Sequence, residues 1–229
     1  MSIFFRRRGE PPATFDATFA NNDWSAIIAA CQRGSVPDSW VVGNSKTMTI
    51  NGTSYQIDII GKNHDTYTAG GTAPLTFQMH DCYADTKQMN SSNTNSGGWM
   101  QSEMRTTHLP AILALMPTEV QNGIREVNKL TSAGSQSATI NTTADKLFLL
   151  SEIEIFGRVK YSKSGEGTQY DYYKAGNSKV KKFNGSANIW WERSPYGSNS
   201  MSFGIVANGG YADYYGASIA HGVAFGFCF

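Results

Sequence analysis

At 229 residues the chain is long enough to bury a real core as one large domain, and its formal net charge of +1 with 16% charged residues leaves no field able to hold a polyanionic backbone. Phosphate-driven nucleic-acid binding is therefore not expected. Polarity comes instead from Ser, Thr, Asn and Gly, and 23 glycines with 12% aromatics suit a loop-rich fold of many short strands better than a helical bundle.

Taken in chain order, "MSIFFRRRGEPP" places too few apolar residues, and places them before its arginines, so it is not a secretory signal peptide. No apolar run approaches the roughly 20 residues of a membrane span, so membrane insertion is not expected. Residues 1–14 read as a flexible N-terminal segment and 15–229 as a single domain. "NNDWSAIIAACQRG" then sets Trp24, Ile27, Ile28 and Cys31 at i, i+3, i+4 and i+7, with Asn22 or Asp23 to cap and Gly34 to close, which predicts one amphipathic helix. From Met48 to Ile59 the period changes to two, with Asn51-Gly52 between the alternating runs, and this predicts a β-hairpin. Pro110 and Pro117 divide the helix-forming stretch after Gly97 into two or three short helices. A buried strand is predicted over 146–150, followed by a brief helix opened by the capping box of Ser151 and Glu154. Residues 161–188 read as a long irregular excursion, and short strands follow at "NIWWER", "MSFGIV" and "GVAFGFCF". Helices beside many short strands, without βαβ alternation, give an α+β fold. "QYDYYKAG" at 169–176 and "GYADYYGA" at 210–217 echo one another as two tyrosine-rich loops.

The sequence offers little for catalysis. Cys31, Cys82 and Cys228 are far apart and odd in number, which indicates buried free thiols rather than a disulfide framework or a C-x-x-C metal site. His64-Asp65 and His80-Asp81-Cys82 are the best metal or acid-base candidates; the simpler reading is that they end strands and cap loops. Ser151 lacks the G-x-S-x-G elbow, and neither a P-loop nor a G-x-G-x-x-G fingerprint occurs. No acidic cluster of calcium-binding type lies near the C-terminal loops. No cofactor and no metal are expected. Arg193 is expected to fix a turn or to pair with Glu192 or Asp213.

"NGGYADYYGASIAHG", 208–222, has a different character. Tyrosine brings a large contact area with only two χ angles to freeze, and Ser, Gly and Asn add adaptable hydrogen bonds, the mixture antibody loops use for recognition. Trp190 and Trp191 are adjacent, so on a strand one faces the core while the other can floor such a surface.

Six phrases carry a resemblance: "GKNHD" at 61–65, "GGWMQSEMR" at 97–105, "LFLLSEIE" at 147–154, "WWERSP" at 190–195, "FGIVANGG" at 203–210 and "GVAFGFC" at 222–228. Together they resemble a phage and bacterial family of lectin-like domains, mostly of unknown function and similar to the variable proteins of diversity-generating retroelements. The resemblance implies a C-type-lectin-like fold of the formylglycine-generating-enzyme type. It departs at "GVAFGF", where many members read "GVRPAF". In retroelement-diversified proteins, adenine-directed mutagenesis rewrites Asn-type codons near the 3′ end into Tyr, Ser, Asp, Gly and His while scaffold positions persist. Tyr196, Ser198, Asn199, Ser200, Asn208, Tyr211, Asp213, Tyr214, Tyr215, Ser218 and His221 are all such types, and with Trp190 they form the expected variable ligand-binding face at 190–222.

The resemblance then implies a receptor-binding or adhesion protein of a phage or prophage, carried on the virion tail or fibre after cytoplasmic synthesis. Its expected partner is a bacterial cell-surface protein or glycan, and homo-oligomerisation follows by analogy because tethered copies raise effective concentration. Two alternatives stand beside it: a structural virion component that uses the same face between subunits, and a formylglycine-generating-type enzyme, against which the apolar setting of Cys228 weighs.

Overall fold

The computed structural model describes residues 14–229, so the expected flexible lead, apart from Thr14, lies outside the described residues. Helix α1, Trp24–Gln32, buries Trp24, Ile27, Ile28 and Cys31 as its spacing requires, and Gly34 leaves it at φ +63°. Asp23 sits at the N-cap without a side-chain cap bond; instead the Trp24 indole N–H donates to the Thr47 carbonyl at 3.1 Å and ties the helix to the first hairpin. That hairpin joins β1, Ser45–Ile50, to β2, Thr53–Lys62, through Asn51 at φ +48° and Gly52 at φ +78°. Two successive left-handed residues are what a tight type I′ turn demands.

Strand β3, Leu75–Met79, follows, then a run of short helical pieces: α2, Gly98–Gln101; a π-helical turn, Met104–His108, that runs on into α3, Leu109–Leu113; and α4, Thr118–Gly123. Next come the hairpin of β4, Val127–Ser132, and β5, Ile140–Asp145, and helix α5, Glu152–Phe156. The Ser151 hydroxyl accepts from the Glu154 N–H at 3.3 Å and the Glu154 carboxylate accepts from the Ser151 N–H at 3.0 Å, so the expected capping box forms. Beyond α5 lie α6, Asp171–Lys174, a small hairpin of β6, Lys181–Phe183, and β7, Ser186–Asn188, then β8, Trp190–Pro195, β9, Ser202–Val206, β10, Ala212–Gly216, and β11, Gly226–Cys228.

The architecture is mixed α+β. One antiparallel sheet has the order β1-β2-β3-β11, and a second has the order β10-β9-β8. The first is cemented by stacked rings: Phe77 lies 5.3 Å from Phe227 and 6.1 Å from Phe19, with Trp24 and Phe229 edge-on or tilted against it at 6.0 and 5.4 Å. The second sheet is joined to this body where Gly222 pairs in parallel with Trp190. A Cβ at Gly222 would come 2.5 Å from the Cys82 sulfur and 2.9 Å from the Ile189 carbonyl, so this close approach needs glycine.

Four expectations are corrected. Within 146–150, Leu147, Phe148, Leu149 and Leu150 are buried but Lys146 is exposed, and among the described residues the run makes one bridge, Phe148 to Gly226, rather than a strand. The excursion over 161–188 contains α6 and the β6–β7 hairpin. The two tyrosine-rich echoes are unlike: Tyr170 and Tyr173 are core residues flanking or within α6, whereas 212–216 is a strand that exposes Tyr214 and Tyr215. Arg193 pairs with neither Glu192 nor Asp213 but with Glu154. No helix among the described residues is long and apolar enough to cross a membrane.

Candidate functional site

The second sheet ends on β10, whose far edge pairs with no strand among the described residues. In the antiparallel register Tyr214 stands opposite Gly204 and Tyr215 opposite Phe203, so the two phenols project to opposite sides. On one flank the Tyr214 ring lies flat on Tyr196, centroids 4.0 Å apart and planes within 13°. Tyr161 stands edge-on to both, at 5.2 and 5.8 Å. On the other flank Tyr215 meets the edge of His221 at 4.7 Å, and His221 in turn meets Trp191 at 5.0 Å. Tyr211, at the strand's start, is 58% exposed, and Tyr214 and Tyr215 remain on the surface with Met201 and Ile219. The tyrosines therefore form the two flanks of one sheet edge rather than a single flat platform.

The other predicted residues divide. Ser198, Ser200 and Asn208 are exposed beside this edge, and Ser218 and His221 are half-buried. Asn199 serves its own loop: its Oδ1 accepts from the Met201 and Ser202 N–H groups, both at 2.9 Å. Asp213 accepts from the Tyr214 N–H at 2.9 Å. Trp190 is corrected. It is fully buried, and its indole N–H donates to the Lys179 carbonyl at 3.0 Å, so it braces the edge from behind and meets no ligand. Trp191 is buried as well, with its N–H on the Lys87 carbonyl at 2.7 Å; it is the tryptophan that lies beneath the Tyr215 flank.

The 196–202 loop is fixed by a residue far upstream. Asn95, fully buried, donates through Nδ2 to the carbonyls of Asn199 at 3.0 Å and Ser202 at 2.7 Å, and its backbone N–H donates to Ser200 at 2.8 Å. Its Oδ1 accepts from Ser135 at 2.8 Å. Replacing Asn95 with Ala strands these buried groups and is expected to cost about 1–3 kcal/mol, read as a shift in urea midpoint, with faster proteolytic nicking within 196–202. A shift confined to overall stability, with the loop as resistant as before, would remove Asn95 from this role.

Beneath the Tyr214 flank lie three carboxyl groups. Glu152 accepts from the backbone N–H groups of Lys160 at 3.1 Å, Tyr161 at 3.0 Å and Ser162 at 2.8 Å, and from the Ser162 hydroxyl at 2.7 Å, which fixes the loop that presents Tyr161. Glu166 accepts from the Ser132 N–H at 2.8 Å and bonds the Ser194 hydroxyl. Glu192 has one buried oxygen without a partner, and burial, then the neighbouring Glu152 and Glu166, hold it well above the usual carboxyl range.

The histidine-aspartate pairs do not converge. Asp65 is buried against Lys129 at 2.8 Å, Thr76 at 2.6 Å and Tyr170 at 2.8 Å, while His64 stacks on the Tyr170 ring at 4.0 Å. His80 bonds Asp58 at 2.7 Å, and Asp81 accepts from the Lys182 N–H at 2.7 Å. Among the described residues no three His, Cys, Asp or Glu side chains group as metal ligands. All three cysteines are free and buried. The Cys228 thiol lies 3.5 Å from the Thr76 hydroxyl and burial pushes it well above its usual range, so it is a poor nucleophile.

Tyr161, Asn95, Met201 and Ile219 belong to this edge and escape a reading by sequence composition. Tyr161 sits in a Gly-, Ser- and Lys-rich stretch with nothing local to mark it, and only its packing on Tyr196 and Tyr214 reveals it. A family model described as a domain of unknown function (DUF6273) matches residues 75–225. The match takes in every strand of the tyrosine edge and leaves out α1 and the first hairpin. No solved structure and no curated protein matches the chain.

Proposed function

Because the chain belongs to the DUF6273 family, whose description assigns no function, we propose its role from the site itself: the β10 edge is the ligand-binding surface of a receptor-binding or adhesion protein displayed by a phage or prophage. The observation that carries this reading is the exposure of Tyr211, Tyr214 and Tyr215 on a backbone pinned from beneath by Asn95, Glu152 and the two tryptophans. Aromatic rings held out in water add little to folding, and rigid tyrosines are efficient anchors because few side-chain rotations are frozen on contact. A buried, unreactive Cys228 supports binding over thiol-based catalysis. We also infer a C-type-lectin-like arrangement, in keeping with a last strand that returns to the sheet of the first hairpin while a smaller sheet carries the recognition edge.

Exposed Met201 and Ile219 beside the tyrosines also suit an interface between subunits of a virion, and one experiment separates the two. Tyr211, Tyr214 and Tyr215 are each replaced by Ala, and binding of the purified protein to cells of candidate host bacteria is measured beside particle assembly and thermal unfolding. Each replacement is expected to weaken cell binding about tenfold or more while leaving assembly intact, with stability within about 0.5 kcal/mol for Tyr211 and lowered by about 0.5–1.5 kcal/mol for Tyr214 and Tyr215, which pack on Tyr196 and His221. Failed assembly with cell binding preserved would transfer the edge to the structural reading.

A further inference from the structure

Beside Tyr211 the tyrosine edge continues into a cleft of about 200 Å³ lined by Glu152, Phe156, Arg158, Lys160, Lys179 and Tyr211. Three of these are cations, and none of them makes an ion pair among the described residues. Their neighbouring carboxylates are otherwise engaged. Glu152 is turned inward to four donors of the 160–162 segment, and Asp213 holds the Tyr214 N–H. The ammonium groups rest on aromatic rings, Lys160 4.6 Å above Tyr161 and Lys179 5.8 Å above Phe156, which restricts where the charges stand. The backbone behind them is fixed too, by Glu152 at Lys160 and by the Trp190 indole at Lys179. A chain of net charge +1 thus places three cations outside ion pairs next to its exposed rings, outnumbering the Glu152 carboxylate that shares the cleft and the Asp213 carboxylate near Lys160.

Taking the tyrosine edge as a binding surface, we propose that its ligand is an acidic glycan of the uronate type, with a carboxylate seated among Arg158, Lys160 and Lys179 and the apolar face of a sugar ring laid on the tyrosines. An acidic peptide would be the other anionic ligand, and peptides commonly add to a free strand edge through backbone bonds. Here that route is obstructed. The Ala207 N–H donates to Tyr211 and the Ala217 N–H to Met201, so by antiparallel alternation Ala212, Tyr214 and Gly216 aim their backbone groups outward. The Tyr214 N–H is already taken by Asp213 and the Gly216 carbonyl by the Ile219 N–H. Recognition therefore falls to side chains, with rings for the sugar and fixed cations for its charge.

The test uses the full chain with immobilised polygalacturonate, neutral dextran, poly-L-glutamate and oligo-dT as probes. Polygalacturonate is expected to retain the protein and dextran not, with retention falling about tenfold between about 50 and 200 mM salt. Arg158→Glu with Lys179→Glu is expected to abolish retention, and the milder Arg158→Gln with Lys179→Gln to weaken it about tenfold. Tyr214→Ala is expected to weaken it also. If the charge variants bind polygalacturonate as the parent does while Tyr214→Ala loses it, the acidic-ligand proposal fails and the binding edge stands; if Tyr214→Ala also binds as the parent does, both fail. Equal retention on dextran, tighter capture by poly-L-glutamate or oligo-dT, or no retention on polygalacturonate overturns the proposal.

Discussion

Replacing Lys129 with Met is expected to remove about 3–5 kcal/mol of stability, the usual cost of taking one partner from a buried ion network. Lys129 lies on β4 with 2% of its side chain exposed. Its ammonium reaches Asp65 at 2.8 Å, Glu154 at 2.7 Å and the Tyr170 hydroxyl at 3.0 Å, above the Phe148 ring at 4.2 Å. Glu154 is shared with Arg193, at 2.5 and 2.9 Å, so two cations balance two carboxylates in the interior. Burial alone would raise the Asp65 carboxyl, yet the Lys129 charge, with hydrogen bonds from Lys129 and Thr76, overrides it and brings the group down to about 2. A carboxyl lowered in this way contributes stability that is present above its ordinary value of 3.8 and is lost as the pH falls towards 2. Without Lys129 the two carboxylates face Arg193 alone, and one must take a proton or expose itself to water. Urea unfolding near neutral pH reads the loss as a lower midpoint at unchanged slope. Adding Asp65→Asn to Lys129→Met should restore part of it, since the orphaned charge is then gone. A loss below about 1 kcal/mol for Lys129→Met would mean that water reaches the network and that it does not hold the sheets together.

Elements whose cause is local were legible in the sequence. Asn51-Gly52 dictates its hairpin through two left-handed residues, and the Trp24 to Cys31 stripe dictates α1, because in each the determining residues lie within a few positions of each other. The capping box of Ser151 and Glu154 was equally visible, but it accounted for only half of Glu154, whose carboxylate also holds Lys129 and Arg193. Proximity in the chain had suggested Glu192 as the partner of Arg193; adjacent strand residues point apart, and that geometry sends the guanidinium to α5. Tyr170 and Tyr214 show the same limit. Both sit in tyrosine-rich octets of nearly equal composition, yet one is fully buried against Asp65 and the other stands on an edge strand. Composition marked residues 196–221 as suited to contact. It could not reveal that Tyr214 and Tyr215 serve opposite flanks, nor that Tyr161 and Asn95 complete and fix the edge, because those contacts depend on chain segments brought together only by the fold.

Glu166→Gln is expected to make the protein more stable as the pH rises, relative to the parent, by about 3 kcal/mol between pH 4.5 and about 7.5. Burial raises the Glu166 carboxyl from the ordinary 4.5 to about 7, against the lowering pull of its bonds to Ser194 and Ser132 and of Arg193. Below 4.5 both folded and unfolded chains carry the proton and the group contributes no pH dependence. Between 4.5 and about 7 the unfolded chain releases it while the folded chain retains it, so the parent loses stability at about 1.4 kcal/mol per pH unit. Above about 7 the loss is complete and constant. Gln bears no proton to lose and escapes this slope. Glu192 acts in the same direction, its carboxyl held well above the usual range by burial first and then by Glu152 and Glu166; Glu192→Gln should therefore shift the balance the same way. Other groups titrate across this window. His108 and His221, lowered by burial, lose stability as the pH falls below 6.5, and His80, raised by its bond to Asp58, loses it as the pH rises. The histidines are common to parent and variant, so the difference between paired denaturation curves reports Glu166 together with its coupling to Glu192. A difference that stays constant with pH would show that Glu166 ionises freely in the folded chain. The consequence reaches the candidate site, because a Cβ on Gly204, the residue opposite Tyr214, would come 2.4 Å from the Glu192 carboxyl. The strand backing the tyrosine edge thus packs directly on a carboxyl that burial biases towards its protonated form, and its ionisation as the pH rises is expected to loosen β9 before the aromatic core around Phe77.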